Sequence, residues 1–355
     1  MVWSLVSPQR FADFADDWQR FNEQRGNQHP LLDRRFVEPL IDYFCHAGVS
    51  LAISRQAGRI NAMGFVEHAG QGVWQTFCPS QAPIAPMVRA MGTDPGPMIQ
   101  EIFNALPGGS WLFGVTRQDP DYPFAPQAMA QNADVGVYGE TMAVAVNGAF
   151  TDYWQSRKKN LRKNLSRYFN RLQREGLSAR LEVLRAPEGM AEAVAAYGAL
   201  ETKGWKGAAG TAISGSNVQG WFYTDVLRRS AACGEAAVYH LWLGERLAAS
   251  RLTIRRNGML VILKTAYDEE LGHYAPGRLL LYKVLEAQFA DEQVDRVEFY
   301  TNATKEQLDW ATSHRPMYYL NCYRFSSLKW ATNSWRRARS WWTGRRASTG
   351  AIKSA

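Results

Sequence analysis

The residues best placed to do chemistry fall in one run, 264–279, which holds Lys264, Asp268, His273, Tyr274, Gly277, Arg278 and Leu279. It joins an apolar stretch, Val261-Ile262-Leu263, to a helix that opens at Pro276-Gly277. The free N–H groups and positive dipole end of such a helix attract phosphate oxygens, and Gly lets them approach closely. Arg278 can add a charge-assisted bond. The alternative is that Pro276-Gly277 only starts an ordinary helix, a common place for Pro. Other reaction classes lack their residues. There is no Gly-x-Ser-x-Gly elbow, no phosphate loop ending in Gly-Lys-Ser/Thr, no His-Glu-x-x-His and no Gly-x-Gly-x-x-Gly after a strand. The six histidines show no ligand spacing, so no metal is expected.

The elements that must position this run read clearly in the second half. Trp154, Leu161, Leu165, Tyr168 and Leu172 make one helical stripe, with Arg162, Lys163, Arg167 and Arg174 opposite and Gly176 as a stop. That basic face is either solvated or a docking surface for an anionic substrate, lipid or tRNA phosphate. A second helix is expected over 187–204. Strands follow over 236–243, 247–255 and 259–267, joined by Gly244-Glu245-Arg246 and by Asn257-Gly258. Asn-Gly between apolar runs is a strong hairpin signal, because both residues tolerate positive φ. Leu281, Leu285 and Phe289 then mark a helix, and strands close the order over 296–300 and 317–325.

The first half repeats this order more faintly. Helical material is expected near 8–21 and 33–47, with strands near 49–54, 62–67 and 73–77. A helix near 97–105 and a strand over 111–115 follow. The fold class predicted is α+β, in two tandem halves of mixed, mostly antiparallel sheet flanked by helices. The division predicted is 1–148, 149–326 and a basic, Trp-rich tail over 327–355. One irregular α+β domain is the alternative.

Composition sets the compartment expected. Of 355 residues, 46% are hydrophobic and 21% charged, a globular balance. No apolar run approaches the roughly 18 residues of a spanning helix, and the N-terminus does not read as a signal peptide. Cys45, Cys78, Cys233 and Cys322 are scattered, as reduced thiols would be. A cytoplasmic protein is expected. The formal charge of +8 is concentrated at the end: nine bases and no acids follow Asp309, so residues 1–309 are near neutral. Such a distribution is poor support for a DNA-binding face. In the tail, Leu328, Ala331, Trp335, Ala338 and Trp342 share a helical stripe, with Arg336 and Arg337 alongside. Trp with Arg suits the inner face of a membrane, in peripheral contact with anionic lipid. The alternative is a helix packed on the domain.

Several pieces in order carry a resemblance: Tyr153-Trp154, then Lys158-Lys159-Asn160-Leu161-Arg162-Lys163-Asn164-Leu165, then Gly204-Trp205-Lys206-Gly207, the strand-loop-helix run 264–281, and Phe299-Tyr300 with Lys305 and Trp310. The chain resembles the GNAT superfamily, most of all its CelD/BcsL-type acetyltransferase-like family, which is similar to the FemABX peptidyltransferases with their two GNAT-like halves. Residues 151–325 carry the likeness, and His29-Pro30-Leu31-Leu32 extends it into the first half. One motif departs. The superfamily's pyrophosphate loop is commonly Gln/Arg-x-x-Gly-x-Gly/Ala, and only Gly277 stands here.

The resemblance implies an N-acyltransferase, with acyl-CoA as co-substrate and an amine as acceptor; the basic, Trp-rich tail adds the expectation that it works near the membrane on a lipid or envelope precursor. The resemblance leaves open an aminoacyl-tRNA donor, as in the Fem-like relatives, and a non-catalytic accessory role in envelope polysaccharide assembly. In the superfamily the amine attacks the thioester directly, so the protein must position, deprotonate and stabilise. Asp268 is either the base or a turn cap. Lys264, placed by strand alternation on the face of Ile262 and Ala266, points into the cleft or snorkels to water. Tyr300 donates to the departing thiolate or packs as a buried aromatic. His273 is a second candidate base or an exposed loop residue. Tyr274, Gly277, Arg278 and Leu279 would hold the donor, and Trp205 and Lys206 would line the acceptor side.

Overall fold

Asn257 and Gly258 both adopt positive φ, 46° and 74°, and fold the chain into the hairpin their sequence predicts. The computed structural model that contains it describes residues 1–24, 28–122, 133–203 and 213–330. Numbered along the chain, the strands are β1 (Val2–Val6), β2 (Val49–Gln56), β3 (Arg59–Gly70), β4 (Val73–Thr76), β5 (Met87–Arg89), β6 (Leu112–Gln118) and β7 (Ala133–Ala145) in the first half. The second half holds β8 (Ala179–Leu184), β9 (Ala236–Leu243), β10 (Arg246–Arg256), β11 (Gly258–Tyr267), β12 (Val294–Glu298) and β13 (Ser313–Tyr323). The helices are α1 (Ala15–Asn22), α2 (Arg34–Phe44), α3 (Pro95–Glu101), α4 (Phe150–Ser156), α5 (Lys159–Arg174), α6 (Met190–Lys203), α7 (Val218–Ala231), α8 (Pro276–Phe289) and the single turn α9 (Lys305–Leu308). The mixed α+β class is therefore as expected. Strands β1, β5, β7 and β8 and helices α7 and α9 are additions to the elements expected from sequence.

Among the described residues these strands form one sheet, ordered β1-β2-β3-β4-β6-β13-β7-β12-β11-β10-β9-β8, with β5 beside β3. The order is symmetric about its centre. In each half a meander ends in a strand that pairs in parallel with the strand beyond the next helix, β4 with β6 and β11 with β12. The last strand of each half then crosses over. β13 pairs with β6, β7 pairs with β12, and β7 and β13 pair with each other. The sequence boundary at 148/149 lies in the connection after β7, so the sheet runs continuously across it.

Side chains tie the crossing together. Asp119, just past β6, is fully buried and receives two bonds from Arg315 of β13, at 2.8 and 2.5 Å. Glu298 at the end of β12 also lies against Arg315, at 3.0 Å, and against Arg296, at 3.1 Å. Burial would raise the Asp119 carboxyl, but the bonds from Arg315 hold it below its ordinary value. A large apolar core joins the same halves from above: α2 packs on α7, with Phe36 and Phe44 edge-on to Phe222. Nearby, Arg256 reaches Asp33 at 2.5 Å and Arg35 reaches Glu235 at 2.6 Å.

Breaking a buried pair strands its partner's charge, which costs more than the pair contributes when intact. Arg315→Met should therefore lower unfolding stability by about 3–5 kcal/mol in urea. A loss under about 1 kcal/mol would show that the crossing holds without Asp119–Arg315.

Candidate functional site

Parallel pairing between β11 and β12 covers only Gly258 to Val261, opposite Val294 to Glu298. Beyond Val261 the strands part, while β10 stays paired with β11 as far as Tyr267. From Ile262 onward β11 thus keeps a neighbour on one side only. The opened wedge is a cleft of about 780 Å³. Its floor is β11, one wall is the end of β12 with Phe299 and Thr301, and the mouth is the first turn of α8. An unpaired strand edge offers N–H and C=O groups to any extended ligand that carries amides.

A bulge sharpens the parting. Leu252 of β10 faces Lys264, yet the next residue, Thr253, faces Ile262, so Leu263 is an extra residue in β11. It resets which face each later residue takes. Ile262 packs under α8 with Leu279 and Leu285, whereas Ala266 joins the core on the other side. Lys264 goes with Ala266, its Nζ 5.7 Å from the centre of the Tyr223 ring on α7. The expectation that Lys264 shares a face with both Ile262 and Ala266 is corrected: strict alternation fails at Leu263. Lys264 still lines the cleft.

The mouth is built by backbone geometry. Ala275 caps α8 in the left-handed region, φ 53°, with no side-chain cap. That turn sets Gly277 at the cleft, where a Cβ would lie 3.3 Å from the Tyr267 ring. The dipole end of a helix of 14 residues therefore faces open space. Arg278 lines the mouth and is ion-paired with Glu306.

Other sequence candidates go elsewhere. Asp268 is wholly buried beside the cleft and does not line it. It caps the turn that follows by accepting from the Glu270 N–H at 3.1 Å, and takes two bonds from Arg246, at 2.9 and 2.6 Å. Its carboxylate is bonded to a cation from β10 and fills the cap position that was the alternative to a base. His273 is exposed outside the cleft, where its carbonyl accepts from Arg171 at 2.6 Å. Tyr274 is buried, and its hydroxyl is bonded to Glu175 of the α5 end. Leu279 is fully buried in the core under α8. These two anchor the helix that makes the mouth. Trp205 and Lys206 lie outside the described residues.

Tyr300 belongs to the crossing, not to the cleft. The Leu31 N–H donates to His29 Nδ1 at 3.1 Å, which leaves the His29 proton on Nε2. Nε2 donates to the Tyr300 hydroxyl at 2.7 Å, and that hydroxyl donates to Asp119 at 2.7 Å. Burial drops His29 to about 3, so it is neutral, and burial raises the Tyr300 phenol well above its usual value. With its proton committed to Asp119, Tyr300 is poorly placed to meet a leaving thiolate. Its φ of 43° is a strained, left-handed conformation that the surrounding bonds hold.

The cleft also holds a residue the sequence reading did not single out. Arg251 of β10, directly opposite Thr265 of β11, is only 5% exposed and lines the cleft. A charged residue within the apolar run of β10 was the available signal, of the same kind as Lys264.

The comparisons agree with this geometry. Residues 159–308 match the model of the acetyltransferase (GNAT) domain. No curated protein matches the chain. Among solved structures, FemX superposes with a TM-score of 0.57 at 9% identity, covering 94% of this chain and 99% of that one. A C-terminal domain from Agrobacterium fabrum assigned to a lysylphosphatidylglycerol synthetase gives 0.56 at 10% identity, covering 89% and 92%. L-PGS from Bacillus licheniformis gives 0.52 at 12% identity, covering 90% and 93%. At such identities these structures share the fold alone. Residues 159–308, with the parted strands and the helix mouth inside them, are a GNAT acetyltransferase domain, and the chain is an acyltransferase.

Proposed function

We propose that the protein transfers an acyl group from acyl-CoA to an amine within the cleft between β11 and β12. The observation that carries the reading is the unpaired β11 edge ending at the open N-terminus of α8. That edge can align an extended amide-bearing arm, and the helix end with Gly277 can receive its phosphates. Coenzyme A supplies the thioester. The amine adds to the thioester carbon, the C–S bond breaks, and the proton lost by nitrogen goes to solvent or to the departing sulfur. Lys264 lines the cleft, three residues beyond Val261, the last residue of β11 paired with β12. We assign it to stabilising the charge that develops on oxygen.

A second reading takes an aminoacyl-tRNA as donor. The resemblance to the Fem-like transferases, together with the shared fold of FemX, supports it. We further propose that the protein works against an anionic membrane face. Support comes from the basic, Trp-rich end of the chain and from the lipid named in the Agrobacterium relative's assignment. Among the described residues no helix is long and apolar enough to cross a membrane. Of the nine terminal bases, Arg315 is ion-paired in the crossing and Lys329 donates to the Ala133 carbonyl at 2.9 Å. The rest of the proposed stripe after residue 330 lies outside the described residues.

Three outcomes test this. Gly277→Val should weaken acetyl-CoA binding by about tenfold or more in calorimetry with an unchanged circular dichroism spectrum, since its branches fill the mouth. Equal affinity would remove the donor assignment, and retained aminoacyl-tRNA binding without CoA binding would select the second reading. Asp268→Asn should lower stability by about 1–3 kcal/mol through the lost Arg246 bonds, with acetyl-CoA affinity unchanged. If instead turnover falls a hundredfold in a fully folded variant, Asp268 is the base after all. Removing residues 328–355 should abolish sedimentation with vesicles of anionic lipid, where each base contributes about 1 kcal/mol. Undiminished sedimentation would place the anchor elsewhere.

A further inference from the structure

Three part-buried arginines elsewhere in the molecule have carboxylate partners. Arg315 has Asp119 and Glu298, Arg256 has Asp33 and Glu235, and Arg35 shares the same two acids. Arg251 does not follow them. Its Nε donates to the Thr265 hydroxyl at 3.0 Å, while its buried Nη1 has no hydrogen-bond partner among the described residues. Among the described residues no acid forms an ion pair with it, and burial alone lowers its pKa, to about 10, which leaves it charged at neutral pH. A lone cation inside a fold is costly, and a hydrophobic side chain of the same length would stabilise the empty protein better. Its position accounts for the exception. Arg251 lies on the α8 side of the sheet, opposite Thr265, in the stretch where β11 has already lost β12. It is part of the cleft lining.

We propose that Arg251 is a ligand-binding residue whose free Nη1 meets an anionic oxygen, phosphate or carboxylate, on the molecule that fills the cleft. The assignment rests on the cleft being the donor site, but it is separate from the helix end at Gly277. A neutral carbonyl could also accept from Nη1; an anion additionally neutralises the charge that the protein leaves bare. Two parts of a donor carry such oxygens: the phosphates of coenzyme A, and a carboxylate at the far end of the acyl chain.

The test uses the full chain, with Arg251→Met to remove the charge at similar length and Arg251→Lys to keep it. Calorimetry is run with CoA, pantetheine, acetyl-CoA and succinyl-CoA, alongside the unfolding temperature of the ligand-free protein. The unfolding temperature of Arg251→Met should be equal or higher than wild type, because an uncompensated charge has gone. If the oxygen is a phosphate, Arg251→Met loses about tenfold or more toward CoA and nothing toward pantetheine. If it is a carboxylate, wild type prefers succinyl-CoA to acetyl-CoA and Arg251→Met loses that preference. In either case Arg251→Lys should retain part of the affinity. All four probes binding Arg251→Met as they bind wild type overturns the proposal. So does an unfolding temperature lowered by about 5 °C or more with affinities intact, which marks a structural residue. If wild type binds none of the probes, the acyl-CoA reading fails by itself. Arg251 is then judged with sodium pyrophosphate and succinate. Stabilisation of wild type but not of Arg251→Met by either salt upholds the assignment, and equal response overturns it.

Discussion

The exchange of last strands between the halves is the constraint on which the remaining architecture depends. Neither half can complete its own sheet: β6 needs β13, and β12 needs β7. The Asp119–Arg315 pair sits where both needs are met, with Glu298, Tyr300 and His29 around it. A buried carboxylate beside a second acid is tolerable only when a guanidinium spans them, and Arg315 does so from the strand that crosses over. The ionic cluster therefore ties the exchanged strands together where they cross.

From that fixed point the cleft follows. The crossing pins the C-terminal end of β12 by seating Glu298 and Tyr300 in the cluster, at the place where β12 leaves β11 after four paired residues. The bulge at Leu263 turns β11 in the same place. On the other side, Tyr274 and Leu279 seat α8 so that its first turn closes the wedge without filling it. The cleft is thus a gap between two well-anchored strands. Its cations differ in setting: Arg278 is ion-paired at the mouth, Lys264 lies over an aromatic ring on the α7 side, and Arg251 is buried on the α8 side.

What could be read from the residues followed from local rules. Asn257-Gly258 demanded positive φ, and Leu281, Leu285 and Phe289 demanded one helical face, so the hairpin and α8 were legible without any distant partner. The GNAT domain was legible because those local signals fall in a recognisable order. Strand β7 was not. Its Gly136 and Gly139 look like strand breakers, yet a Cβ at Gly136 would lie 2.2 Å from the Tyr319 ring, and one at Gly139 3.1 Å from Asn302. Those neighbours arrive from the far end of the chain. The partners of Asp268 and Tyr300 were not legible for the same reason, since Arg246 and Asp119 reach them from other elements. Arg251 and Lys264 carry the same sequence signal, a cation in an apolar strand, and only the three-dimensional arrangement separates them.

The strand exchange also governs how the molecule can be made. A ribosome delivers Gln118, the last residue of β6, long before Ser313, the first of β13. At about 5–20 residues per second that interval is roughly 10–40 s. Throughout it the newly made first half carries an open sheet edge at β6 and a β7 whose partners do not yet exist, an arrangement prone to pairing with other chains. Long-range pairing of this kind folds slowly. Synthesis of this protein should therefore depend on chaperone capacity more than its length suggests, and slower translation would lengthen the exposed interval.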